Sequence, residues 1–239
     1  SKFFSRISSA LLFAALLSNT ASAATNTWTG ATSTDWFTPA NWSLAAVPVA
    51  GDDVTIPNVA NKPVVGAAGA VAKSVVVLPS TSLTIQSTGS LDINGAIGFG
   101  LENFGTLDNS GTIRIGNSVA IGNRGLVHRV GATLNNKPGG LIQIDRTSAV
   151  EAFYTAGVVN NEGTIDIGSA AAVMGTGLTI DAGTGVFNNK FGGLLTINRA
   201  TGFGMENKGA LDNSGTIKAG NIASNAASSI VHRSGGTFN

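Results

Sequence analysis

The sequence predicts an all-β protein, a right-handed parallel β-helix (β-solenoid) with rungs of about 26 residues and an N-terminal Trp-rich cap. The strongest observation is internal repetition. Gly98–Asn135 and Gly202–Asn239 align without a gap at an offset of 104, and 21 of the 38 positions are identical. The shared words are Gly-Phe-Gly, Glu-Asn-x-Gly, Leu-Asp-Asn-Ser-Gly-Thr-Ile, Gly-Asn and Val-His-Arg. The second observation is a punctuation unit, apolar–Asx–Asn followed by a Gly-containing turn. It opens at Leu107, Leu134, Val159, Phe187, Leu211 and Phe238, which lie 27, 25, 28, 24 and 27 residues apart. The 104-residue repeat is therefore four rungs. The third is alternation: after each closing Gly the second and fourth residues are apolar, as in Ile113/Ile115, Ile142/Ile144, Ile165/Ile167 and Leu195/Ile197. A period of two fits a half-buried strand and no helix.

Taken in order, Ser1–Ala23 has a basic start at Lys2 and Arg6, an apolar centre Ile7–Leu17 and the small-x-small box Ala21-Ser22-Ala23. That is a signal peptide, with an apolar run too short for a spanning helix. Its removal takes the formal charge from +1 to −1, so nothing basic remains to attract nucleic acid or anionic lipid. Residues 24–59 form the cap and lead-in strands and contain all three tryptophans, Trp28, Trp36 and Trp42. A solenoid end needs covering by a large apolar surface, and indoles supply it. The alternative use of the same cluster is an aromatic platform for sugar rings. Residues 60–239 form the solenoid. Val75–Leu78 is expected to be buried on both faces, while Val150–Thr155 and Ala170–Met174 are expected to be loops or bulges.

The stretch Trp28-Thr29-Gly30-Ala31-Thr32-Ser33-Thr34-Asp35-Trp36, then Asn41-Trp42, Val47-Pro48, Asp52–Pro57 and Lys62–Val65, resembles the opening of large secreted repeat proteins of Bacteroidota. The downstream Gly-Thr-Leu-x-Asn-x-Gly-Thr-Ile rungs resemble their repeats. The resemblance covers nearly the whole mature chain. It implies an outer-surface or released protein, adhesin-like and exported by the type IX route. The C-terminal sorting domain of such proteins is not in this sequence, there is no initiator Met, and Asn239 falls inside a punctuation unit. The chain is thus expected to be a fragment, prone to end-to-end self-association through an uncapped last rung.

Chemistry is sparse. Asp108 and Asp212 recur at equivalent positions, but Asn160 fills the same slot between them. Hydrolysis by paired carboxylates needs two acids at a defined separation, whereas Asx before Gly is explained by turn chemistry and Asn ladders. His128-Arg129 and His232-Arg233 hold the only histidines. Four stacked rungs separate them by about 19 Å, too far to share a metal, so an exposed polar pair at a strand end is expected. There is no Cys, hence neither disulfide nor thiolate site. No catalytic residue, cofactor or metal site is identified. Trp28, Trp36, Trp42, His128 and His232 are the candidate ligand contacts.

These observations imply an exported structural or adhesive surface protein, extracellular or on the outer cell surface, with no catalysis of its own. Its expected partners are extracellular polysaccharide or the surface of a host or neighbouring cell, with no nucleic acid and no transmembrane span. The alternative is the N-terminal part of a carbohydrate-active β-helix enzyme, or a carbohydrate-binding module. A two-partner-secreted haemagglutinin-like adhesin shares the rung style but needs an Asn-Pro-Asn motif, which is absent.

Overall fold

A full coil contributes three short strands, and each strand pairs in parallel with its counterpart one coil away. Leu101–Asn103, Thr106–Asn109 and Thr112–Ile115 make one coil; Leu126–His128, Thr133–Asn136 and Leu141–Ile144 make the next. The computed structural model describes residues 24–148, 151–169, 171, 173, 175–220 and 228–239. Among these, three sheets run the length of the stack. The first has nine strands, from Thr25–Thr27 to Ser228–His232. The second has eight, from Val64–Val65 to Thr237–Phe238, and the third seven, from Ala70–Ala72 to Thr216–Ala219. The protein is a parallel β-solenoid. Ser1–Ala23, where a signal peptide is expected, lies outside the described residues, as do Val150 and Ala170, Ala172 and Met174.

Alternation places the core inside this three-sided prism. In the third sheet Leu91, Ile113, Ile142, Ile165, Leu195 and Ile217 are in register, and the first five are fully buried. In the second, Leu83, Leu107, Leu134, Val159, Phe187 and Leu211 form a matching buried column. Parallel coils about 4.8 Å apart bring like side chains into contact, so no coil has a core of its own. Between the buried residues, Arg114, Gln143 and Asp166 point outward and are half-buried. Thr196, in register with Asp166 in the same outward column, is only 8% exposed. It lies beside the corner where Asn198 hydrogen-bonds back to Asp166.

The structure corrects several expectations. The apolar–Asx–Asn unit is not a turn but the end of a second-sheet strand, as in Val158–Asn161 and Val186–Asn189. Glu151–Thr155 is a first-sheet strand, with Phe153 in the column between Leu126 and Leu178. Its alternation is broken because the neighbours Ala152 and Phe153 both belong to the core cluster. Val75–Val77 is half-buried rather than covered on both sides: Val75 and Val77 face in, and Val76 faces out.

Glycine after the Asx pair serves close approach. Gly111, Gly163 and Gly215 do not adopt positive φ. A Cβ there would lie 2.1, 2.4 and 2.4 Å from the carbonyl oxygens of Gln86, Gly140 and Gly193 in the preceding coil. Positive φ belongs instead to the longer turns, at Gly139 (+83°) and Gly192 (+84°).

The N-terminal end is closed as expected. Trp28, Trp36 and Trp42 are 0, 0 and 3% exposed and belong to the same core cluster as Val54, Ile56 and Val65. Edge-to-face contacts join them at 5.0 Å (Trp28–Trp42) and 4.7 Å (Trp36–Trp42). Asn41, fully buried, is the polar hub of the cap. Its Oδ1 accepts from Thr32 N–H, Thr32 Oγ1 and Ser33 N–H, and its Nδ2 donates to Ser33 Oγ and the Asp35 carbonyl.

Ile165→Asp places an unpartnered charge in the shared column and is expected to cost on the order of 4 kcal/mol in urea unfolding. Arg114→Ser breaks only a half-exposed pair with Asp92 and should shift stability by less than about 0.5 kcal/mol. Gly163→Ala forces a methyl group against backbone and is expected to cost roughly 1–3 kcal/mol. A neutral result at Gly163 would show that the coils can move apart there.

Candidate functional site

Candidate residues divide sharply between the interior and the surface. The three indoles offer no exposed face for a sugar ring, so the platform alternative drops out for Trp28, Trp36 and Trp42. Two of their N–H groups are also engaged: Trp28 Nε1 donates to the Asn61 carbonyl at 2.8 Å and Trp42 Nε1 to the Trp36 carbonyl at 2.7 Å. The histidines do not match the expected exposed pair. His128 is fully buried on the inner side of the first sheet, whereas His232, in the last coil, is exposed. Burial lowers His128 to a pKa of about 4, only partly opposed by backbone hydrogen bonds to Val158 and Ala132.

The Asx pairs build two amide ladders. Inside, Asn109, Asn136, Asn161, Asn189 and Asn213 stack in register. Each Nδ2 donates to the next Oδ1 at 2.7–2.8 Å. The second N–H of each of the first four reaches a backbone carbonyl, those of Leu141, Thr164, Leu194 and Thr216. Outside, Asn188 donates to Asn160, Asn160 to Asn135 and Asn135 to Asp108, at 3.0, 3.0 and 2.9 Å. Asp108 is thus the acceptor at one end of a ladder and sits beside Lys137. Asp212 continues the same column past Asn188. Neither has a second carboxylate poised for acid–base work in these contacts. No group of three or more His, Asp or Glu suited to a metal occurs among the described residues.

The outer face of the first sheet brings charged and aromatic groups together. Its register column runs Val76, Glu102, Val127, Tyr154, Thr179, Glu206, Val231. Arg129 pairs with Glu102 one coil back and lies over the rings of Phe99 and Phe104. Four coils on, Arg233 repeats the arrangement with Glu206 at 2.8 Å and the ring of Phe203, and Lys208 pairs with Glu206 too. Between them Arg124 pairs with Glu151 at 2.6 Å and lies over Tyr154. Burial, then the Asp181 hydrogen bond, pushes the Tyr154 phenol up from its ordinary value. For Glu206, burial works toward a higher pKa, but Lys208 and Arg233 outweigh it and hold the carboxyl below its usual range.

At the N-terminal end of this face the connection 94–100 arches over a cleft of about 270 Å³. Val76, Ile97 and Phe99 make its apolar side, and Asp53, Lys73, Ser74 and Glu102 its polar side. Asp53 accepts from Ser74 Oγ and Lys73 Nζ at 2.6 and 3.2 Å, which fixes both groups at the rim. Sequence reasoning missed this face. Gly-Phe-Gly, Glu-Asn and Val-His-Arg were visible as repeated words, but Glu102 and Arg129 are 27 residues apart. Only the parallel register shows that they meet.

A domain of unknown function (DUF8693) matches residues 27–137, from the cap through the Thr133–Asn136 strand. No curated protein and no solved structure matches the chain. No helix among the described residues is long and apolar enough to cross a membrane.

Replacing a middle rung of each ladder separates their roles. Asn136→Leu strands a donor of Asn109 and the acceptor of Asn161 in the core, and should cost about 3 kcal/mol. Asn135→Ala, on the half-exposed ladder, should cost less than about 1 kcal/mol. Equal losses in urea unfolding would mean that the inner ladder has no special weight.

Proposed function

We propose that this chain is an exported structural and adhesive surface protein, a rigid solenoid that contacts polysaccharide and performs no catalysis of its own. The observation carrying this is the first-sheet outer face, where an aromatic wall and fixed carboxylates share one cleft. A pyranose presents an apolar C–H face and a rim of hydroxyls. Phe99 and Val76 suit the former, and Asp53, Lys73, Ser74 and Glu102 the latter. Extracellular polysaccharide is therefore the favoured partner, free or on the surface of a host or neighbouring cell. Export through Ser1–Ala23 and an outer-surface or extracellular location belong to the same proposal. So does the type IX route, which rests on the resemblance to Bacteroidota repeat proteins.

Retention of the chain on immobilised polysaccharides tests the contact face. Binding to at least one polymer is expected, with loss of at least tenfold in affinity for Phe99→Ala and no loss for Lys190→Ala, whose side chain pairs with Glu162 on another corner. Unchanged binding by Phe99→Ala would remove the cleft from the proposal. The same panel should yield no cleaved product. Turnover abolished by Asp108→Asn or Asp212→Asn would instead establish the carbohydrate-active enzyme.

A further inference from the structure

The inner side of the first sheet carries a polar pair that neither the adhesive face nor the amide ladders use. His128 and Asn103 are in register in adjacent coils, both fully buried. Asn103 cannot choose its orientation freely. Its Oδ1 accepts from Gly105 N–H at 3.1 Å, and its Nδ2 donates to the Thr133 carbonyl at 3.3 Å. The Nδ2 group therefore faces His128 Nδ1, 3.1 Å away, and that nitrogen must be the acceptor. His128 Nε2 then holds the single ring proton and donates it to the Val158 carbonyl at 3.1 Å.

A second proton is poorly accommodated here, since burial outweighs the Val158 and Ala132 carbonyls that would favour it. On Nδ1 it would point at the Asn103 amide protons, donor against donor. Flipping that amide would present its oxygen to the imidazole but turn its NH₂ toward Gly105 N–H and take the donor from Thr133. Nor is there a neutralising charge on the inner side. The preceding coil presents Asn103 and the following coil Thr155. The nearby second-sheet strands Thr133–Asn136 and Val158–Asn161 contain no ionisable side chain. Glu102, Arg129 and Tyr154 occupy the outer side of the same sheet, where Arg124 and Glu151 also pair. Gly157 leaves no space beside the ring, since a Cβ there would come within 2.7 Å of Nε2.

We infer that the Asn103–His128 pair is an acid-sensitive lock between coils, closed by the neutral imidazole and forced open by its protonation. The arrangement is a repeated cassette. Asn207 meets His232 Nδ1 at 3.3 Å, donates to the Thr237 carbonyl and accepts from Gly209 N–H, four coils later. The sign follows from proton uptake. Burial holds His128 at about 4 in the folded chain, against 6.5 in an ordinary environment. Between those values the unfolded chain binds the proton and the folded one does not. Stability from this group is complete above about pH 6.5, falls as the pH drops toward 4 and levels off below it. Asp166, raised chiefly by burial, acts with the opposite sign, because its folded form takes up a proton more readily.

Urea unfolding of the chain from pH 7.5 to 4.5 tests the lock against His128→Asn, whose amide can join Asn103 as the ladder asparagines join one another. The wild-type unfolding constant is expected to rise up to about tenfold per pH unit below 6.5, and His128→Asn should show no such rise. Parallel behaviour of the two proteins would overturn the inference. Imidazole NMR of the His232→Asn chain reads His128 alone and does not depend on His128→Asn folding. Its ring signals should stay at their neutral positions from pH 7.5 to 5 while the native spectrum persists. A titration near 6.5 in the folded state would also overturn the lock.

Discussion

Parallel register between successive coils is the constraint on which the rest of this structure depends. Stacking puts residue against equivalent residue about one strand spacing apart, so whatever occupies a slot must tolerate a near copy of itself above and below. Isoleucine and leucine do so through dispersion, and asparagine through an amide that donates on one side and accepts on the other. A lone carboxylate does not, and among the described residues the inward columns accordingly hold none. Glu102 and Glu206 stand on the outer face with a guanidinium one coil away.

Much of the stack was legible because register writes a period into the sequence. Ile113, Ile115, Ile142 and Ile144 announce themselves by alternation, and their third-sheet strands lie where the pattern places them. The second sheet was legible only in part, since an Asn ladder was expected there but a strand was not. Its Asx-Asn pairs use residue types that usually mark turns, and only the fold reveals one amide facing out and the next facing in. His128 was misjudged for a related reason. Val-His-Arg looks polar, yet Val127 and His128 are both fully buried, and only Arg129 reaches solvent. Alternation assigns sides of a strand, but it does not reveal which outward residues the neighbouring coils cover.

The candidate contact face was hidden for a different reason. Gly98-Phe99-Gly100 recurs as Gly202-Phe203-Gly204, which first suggests backbone duty. Gly100 does serve it, since a Cβ would lie 2.7 Å from the Gly125 carbonyl oxygen. The phenylalanine between the glycines belongs to the surface, lying against an arginine that the chain supplies one coil later. Connections from the third sheet to the first, such as 94–100 and 116–125, are longer than the two-residue links 104–105 and 110–111. Variation in a solenoid is tolerated where a connection leaves the stack, and such corners can acquire binding groups without disturbing the columns.

The inner amide ladder also gives the stack a direction. Every Nδ2 donates toward the C-terminal coil, so the ladder has one acceptor end and one donor end. At the acceptor end the coil before Asn109 places Ile85 in the slot, and Asn109 Oδ1 is left buried without a hydrogen-bond partner. Leaving a buried carbonyl unsatisfied costs about 1–3 kcal/mol, a loss set against four cooperative amide links beyond it. The apolar column alone would accept a shift by a whole coil, since leucine meets isoleucine almost as well as it meets leucine. The ladder does not, because such a shift would set Ile85 or Val65 against an amide that needs a partner. Hydrophobic contact therefore supplies most of the stability, while the asparagines specify which coil lies on which.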